Sequence, residues 1–174
     1  SEHLERVLND FLAFARPATA RLEALQPEDV AARAMADPAL ADVEIRLTSD
    51  GTVPPIEGDS QLLERALRNL LHNAADAHRS TGTEQPIHLE VRADDAGARL
   101  QVTDAGPGLD DSIRERLFQP FVSGRADGVG MGLALAHRIA ALHDGELTVV
   151  DGETGGAVAT LRLPHRPSPV TNDT

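Results

Sequence analysis

The 174-residue sequence contains no cysteine, which excludes disulfides, thiolate metal sites and thiol nucleophiles within it. That absence fits a reducing compartment. No apolar run approaches the roughly 18 residues that a membrane helix needs. The opening Ser1-Glu2-His3-Leu4-Glu5 lacks the basic and apolar parts of a signal peptide. Positive charge is scarce: Lys and Arg total 16 against 28 Asp and Glu, a formal charge of −12. Such a surface repels nucleic acid and anionic lipid, so no nucleic-acid partner is expected. An anionic ligand would need a local site made from backbone N–H groups and a metal ion.

What is present suits one domain with a sizeable core. Position 1 is not Met, and an amphipathic pattern is already running there. The expectation is a piece of a longer protein, one with room for a membrane anchor elsewhere. Leu4, Val7, Phe11 and Phe14 follow a 3-4-3 spacing, with Leu8 and Leu12 widening the stripe, so residues 4–15 are predicted helical. Arg16-Pro17 ends the pattern. A stripe this wide needs a partner: either a second helix in a bundle or the chain's own domain.

Residues 27–36 read as a short helix with Pro27 in its first turn. Residues 43–48 alternate as a half-buried strand. Asp50-Gly51 marks a turn, and Pro54-Pro55 an extended segment. Asp59 or Ser60 can cap a long helix reaching about His78, with a core stripe of Leu62, Leu63, Ala66, Leu67, Leu70, Leu71, Ala74 and Ala75. Residues 87–93 and 99–103 form a hairpin through Asp94-Asp95-Ala96-Gly97. A short helix is expected over 110–117 and another from the glycine-rich 124–132 to about Leu142. Residues 146–150 and 157–163 make a second hairpin. From His165 the composition predicts a disordered tail. Helices interspersed with strand pairs imply an α/β two-layer sandwich, a mixed sheet with helices on one face.

Four groups carry chemistry. Asn69, Asn73 and Asp76 share one face of the long helix. Mid-helix asparagines cost stability, and an amide carbonyl suits Mg²⁺ that also binds phosphates. A solvated polar face would look the same. Asp104-Ala105-Gly106-Pro107-Gly108 ends a strand. An ionised carboxylate only accepts hydrogen bonds, so it can read adenine's amine and rejects guanine's carbonyl. Gly106 and Gly108 would let backbone approach a base. A plain strand-ending turn uses the same residues. Phe118-Gln119-Pro120-Phe121 comes next. Then Gly128, Gly130 and Gly132, with Leu133, open a helix whose N-terminus can receive an anion. The run is neither a Walker loop nor a Rossmann turn.

Taken in order, Asn-x-x-x-Asn-Ala, Asp-x-Gly-x-Gly, Phe-x-Pro-Phe and Gly-x-Gly-x-Gly-Leu-Ala resemble the N, first glycine, F and second glycine boxes of the histidine-kinase catalytic domain. That family sits in the GHKL superfamily with gyrase, MutL and a class of heat-shock chaperones. The resemblance covers roughly residues 20–164, and the short lid resembles the nitrogen-regulation branch. Residues 5–17 look like the end of a dimerisation helix. The domains would then be 1–17, the end of that helix; 18–164, the catalytic domain; and 165–174, the tail.

The resemblance implies a Bergerat-type sandwich, with a mostly antiparallel sheet and three helices on one face. It implies ATP and Mg²⁺ as cofactors. Asn73 would ligate the metal, Asn69 would support the phosphates, and Asp104 would read adenine. Residues 119–127, with Phe121 among them, would form a lid, preceded by Phe118 and followed by Gly128, Gly130 and Gly132. Asp76 and Leu133 would line the site, and Thr160 would join the adenine–aspartate water network. Arg125 stands where the branch usually carries lysine, which keeps the charge and changes its geometry. Implied partners are an upstream histidine-containing dimerisation domain, a second copy of the chain and a response-regulator receiver domain. The implied location is cytoplasmic.

The hydrolytic relatives place glutamate where this sequence has Asn69, an amide that cannot take a proton near neutral pH. Slow hydrolysis and phosphotransfer to a histidine are therefore expected. None of the seven histidines lies in a His-Glu/Asp acceptor box, and all are expected at the surface. A regulatory nucleotide binder without phosphotransfer and a dimeric scaffold acting through residues 1–16 remain as alternatives.

Overall fold

The computed structural model describes residues 2–15, 19–120 and 131–165, without the side chains of His3 and Phe14. Helix α1 (Glu2–Ala15) matches the amphipathic stretch. Its expected end at Arg16-Pro17 lies outside the described residues. One side of α1 leans on the domain: Ala13 packs on the core, and Asp10 Oδ1 pairs with Arg65 Nη2 at 3.2 Å. The other side keeps Leu4 64% and Leu8 54% exposed, with Phe11 and Leu12 beside them. The helix thus folds back on the domain and still leaves an apolar face uncovered.

Strand β1 (Glu23–Leu25), helix α2 (Pro27–Met35), a 3-10 turn at Pro38–Leu40, β2 (Ile45–Ser49) and β3 (Ile56–Gly58) follow. The small antiparallel β1–β3 sheet was not anticipated. Strands of three residues are too short to show an alternation.

Helix α3 (Ser60–Thr81) is the central element. Asp59 caps it, its Oδ1 accepting from Leu62 N at 3.1 Å and its Oδ2 from Arg21 N at 2.8 Å. Gly82 ends it at φ 69°, its N–H donating to His78 O. Leu63, Ala66, Leu67, Leu70, Leu71, Ala74 and Ala75 are fully buried, whereas Leu62 is only partly so. Each such leucine contributes about 1.5–3 kcal/mol by leaving water.

Strands β4 (Ile87–Asp94), β5 (Gly97–Thr103), β6 (Glu146–Asp151) and β7 (Ala157–Pro164) join β2 in a sheet of order β2-β4-β5-β7-β6. Only β2–β4 is parallel. Ile87, Leu89 and Val91 alternate inward on β4, as do Ala98, Leu100 and Val102 on β5. Helices α2, α3 and α4 (Gly132–Leu142) cover that inward face. This is the expected two-layer sandwich.

Two local expectations fail. Residues 110–117 form turns and a single 3-10 turn at Arg114–Arg116, not a helix. Asp110 Oδ1 accepts from both the N and Oγ of Ser112, a local alternative to helical bonding. His165 is not the start of a loose tail: its N–H donates to Ala96 O at 2.6 Å and its Nδ1 lies 2.9 Å from Pro55 O. Residues 166–174 lie outside the described residues.

Candidate functional site

The candidate site has three parts, two of which touch α3. At the middle of α3, Asn69, Asn73 and Asp76 are each half-buried on one face. Asn69 Nδ2 donates to Gly132 O at 3.4 Å, a long bond that reaches the start of α4. Helix α4 begins at Met131 with no side-chain cap bond and no acidic residue in its first turn. The positive end of its dipole is therefore left uncompensated by side chains of that turn, a geometry that suits an anion. A Cβ at Gly132 would sit 3.8 Å from Asn69 Cβ, so packing does not demand glycine there. Leu133 packs partly on the core.

Asp76 belongs to a surface network. It accepts from Arg79 Nη1 at 2.9 Å, and Arg79 also grips Asp42 at 2.6 Å. The hydrogen bond to Asp42 is the main cause that pushes the guanidinium pKa up, and the Arg79 bond holds the Asp42 carboxyl below its ordinary range.

The second part is the loop after β5. Asp104 N donates to Ala157 O at 3.0 Å. Asp104 Oδ1 accepts from Gly106 N at 2.9 Å and Ala157 N at 3.2 Å. Among the described residues nothing bonds Oδ2. The carboxylate is thus fixed through one oxygen while the other keeps its acceptor capacity. The two glycines here answer to the protein itself. A Cβ on Gly106 would lie 2.6 Å from Ala77 Cβ, and one on Gly108, at φ +82°, would lie 2.9 Å from Asp151 Oδ1. Asp151, which sequence reasoning missed, accepts from Leu109 N at 2.8 Å and pairs with Arg114 Nη2 at 2.8 Å. The Leu109 N–H and then Arg114 hold its carboxyl below the usual range. In the sequence, Asp151-Gly152 looks like an ordinary turn.

Thr160 is not brought to this group. It pairs with Gln101 across β5–β7, and its Oγ1 donates to Gln101 Oε1 at 3.3 Å. Its sequence neighbour Leu161 points into the core beneath the helices, so Thr160 faces the opposite side of the sheet.

The third part is Phe118, stacked on His137 of α4 with ring centroids 4.5 Å apart. Phe121, Arg125, Gly128 and Gly130, with the part of the 119–127 lid that follows Pro120, lie outside the described residues.

Three histidines expected at the surface are buried: His72, His78 and His143. Each ring satisfies two elements at once or ties one to a loop. His143 Nε2 accepts from Asp59 N at 3.0 Å, and its Nδ1 meets Ile139 O at 2.7 Å. His72 Nε2 donates to Asp37 Oδ2 at 2.8 Å while Nδ1 accepts from Arg6 Nη1 at 3.3 Å. Burial alone would raise the Asp37 pKa. The His72 bond, the Ala39 N–H and the Arg68 charge outweigh it and hold the carboxyl below its ordinary value.

The sequence profile of histidine kinase-, DNA gyrase B- and HSP90-like ATPases matches residues 58–167. The C4-dicarboxylate transport sensor protein DctS of Rhodobacter capsulatus is 34% identical over 157 residues, covering 87% of this chain and 24% of that protein. The sensory histidine kinase/phosphatase NtrB of the same species is 36% identical over 128 residues, covering 68% and 36%. The crystal structure of full-length ShkA in complex with AMPPNP superposes with a TM-score of 0.74 at 30% identity, over 97% of this chain and 37% of that one. The chain therefore spans between 24% and 36% of the length of these two curated relatives. Its matched residues contain α3, the Asp104 loop and α4, and the chain belongs to the histidine kinase-, DNA gyrase B- and HSP90-like ATPase family, in the form found among sensor histidine kinases.

Proposed function

We propose that this chain binds Mg·ATP and presents its γ-phosphate to a histidine on a dimerisation domain, in two-component signalling through a response regulator. One observation carries the reading: a single helix touches both ends of the site. Asn69 meets the start of α4, and His78 meets the backbone beside Asp104. Nine residues at about 1.5 Å each separate these contacts by roughly 14 Å, a span suited to a nucleoside triphosphate. The base would lie at the Asp104 end, its amine donating to Oδ2. The phosphates would lie at the α4 end, against helix N–H groups.

Asn73, between the two ends, would offer its amide oxygen to Mg²⁺. A neutral amide oxygen fits an ion whose shell is completed by phosphate oxygens and water. Bound there, the ion would supply charge neutralisation for the phosphates. Asn69 has no carboxylate with which to activate water, so nucleotide is held for transfer in preference to hydrolysis. The exposed Leu4, Leu8, Phe11 and Leu12 of α1 favour a bundle partner, either a second copy or an upstream helix. Phe121 and Arg125 would belong to the lid over 119–127, Gly128 and Gly130 would add flexibility and N–H groups facing the phosphates, and a cytoplasmic location suits an ATP-dependent domain.

The test has two steps. Calorimetry should show Mg·ATP binding by this chain. Radiolabelled ATP should then give acid-labile label on a supplied histidine-bearing bundle and none on this chain alone. Tight binding with no transfer to any such bundle would favour the regulatory binder instead, and no binding would leave only the scaffold.

A further inference from the structure

We propose that His78 is a positioning residue that sets nucleotide-base selectivity by seating the Asp104 loop on α3. The proposal rests on the reading of Asp104 as the carboxylate that recognises the base. His78 is 3% exposed, in the last turns of α3, and a buried imidazole needs partners. Its Nε2 lies 2.8 Å from Ala105 N. A backbone N–H can only donate, so Nε2 accepts, and the ring proton of the neutral imidazole sits on Nδ1.

Ala105 directly follows Asp104. The three successive backbone donors of this stretch go three ways. Asp104 N donates to Ala157 O on β7, Ala105 N to His78 on α3, and Gly106 N to the Asp104 carboxylate itself. Of the three, the His78 bond alone ties the loop to the helix that carries Asn69 and Asn73. The fit is close: a Cβ on Gly106 would lie 2.6 Å from Ala77 Cβ, the residue before His78. Ala77 and His78 together form a seat, one by contact and one by hydrogen bond.

Without an acceptor at this point the Ala105 N–H is orphaned, and the loop must shift to satisfy it. Any shift moves Asp104 Oδ2 relative to α3, and with it the site's base selectivity. The Asn69 end, nine residues away, keeps its own contacts. A glutamine side chain can place Oε1 near the position of Nε2, whereas leucine offers bulk without an acceptor and asparagine falls short.

The experiment is calorimetry of the whole chain with Mg·ATP and Mg·GTP, accompanied by thermal melts. His78→Leu should lose at least about tenfold in ATP affinity and most of its ATP-over-GTP ratio. His78→Gln should recover the ratio. If His78→Leu does not fold, His78→Asn against His78→Gln decides, with only the asparagine variant losing the ratio. Retention of the wild-type ratio by folded His78→Leu or His78→Asn, or its loss by folded His78→Gln, would overturn the proposal. Equal affinity of the wild-type chain for ATP and GTP would instead sink the reading of Asp104, a result visible before any variant is made.

Discussion

The two ends of the site that α3 spans are built differently. At the Asp104 end, backbone, carboxylate, imidazole and glycine are interlocked through bonds of 2.8–3.2 Å. At the α4 end, Asn69 Nδ2 donates to Gly132 O over a long 3.4 Å, beside a helix start whose N-cap residue Met131 makes no side-chain cap bond. The lesson is one of division. A preformed end can discriminate between ligands because its acceptor is fixed before binding. A helix start without a side-chain cap leaves backbone donors for a ligand to complete, and a charged phosphate group can do so more strongly than any neutral cap.

Glycine substitutions should break this contrast most sharply. A Cβ at Gly156, which sits at φ +74°, would come within 1.9 Å of Asp104 O. Gly156→Ala should therefore destabilise the domain by about 2 kcal/mol or more, as a strained and overpacked position does. Gly132→Ala, with ordinary contact at 3.8 Å, should melt within about 1 kcal/mol of wild type. Thermal or urea denaturation of the two variants checks this; equal losses would mean that the ends are equally tight.

A smaller effect is expected at Asn73→Ala. Losing one amide ligand should weaken Mg-dependent nucleotide binding by about 1–3 kcal/mol and metal-free binding by less. Titrations with and without Mg²⁺ decide it, and identical losses would remove Asn73 from the metal.

The smallest effect concerns the tie between α3 and Asp37, which caps the 3-10 turn at Pro38–Leu40. The Asp37 carboxyl is held below its ordinary value of 3.8. Its contribution to stability is therefore present above that value and lost as pH falls through the lower folded-state value. The stability gap between wild type and Asp37→Asn should be steady near neutrality and close below about pH 4. Urea melts from pH 7 to pH 3 would show it; a gap unchanged at pH 3 would contradict the cause given for the depressed carboxyl.

The fold was legible where its determinants are local. Helix α3 announces itself through Asp59, a long apolar stripe and Gly82, all within one window. The two hairpins are marked by alternation and by the turn residues Asp94-Asp95-Ala96-Gly97 and Asp151-Gly152. Asn69, Asn73 and Asp104 stand out in the sequence because their spacing repeats a known pattern, and the structure places Asn69 against the start of α4 and Asp104 at the head of the loop after β5. What escaped depends on partners far apart in the chain. His143 accepts from Asp59, 84 residues away, and His78 from Ala105, 27 away. No window that short-range patterns use can contain such pairs, so buried histidines look like surface ones. Thr160 misled for a related reason: its place on β7 was clear, but the face it shows is fixed by its register with Gln101.

The central claim is that Asp104 is a fixed reader of the base, and Asp104→Asn tests it most directly. The asparagine retains one acceptor and adds a donor, so it can meet guanine's carbonyl where the carboxylate could not. Calorimetry should show Mg·ATP affinity falling by about 10- to 100-fold, the worth of a hydrogen bond to a charged group, while Mg·GTP affinity holds or rises. Equal losses for both nucleotides, or no loss for either, would contradict the account.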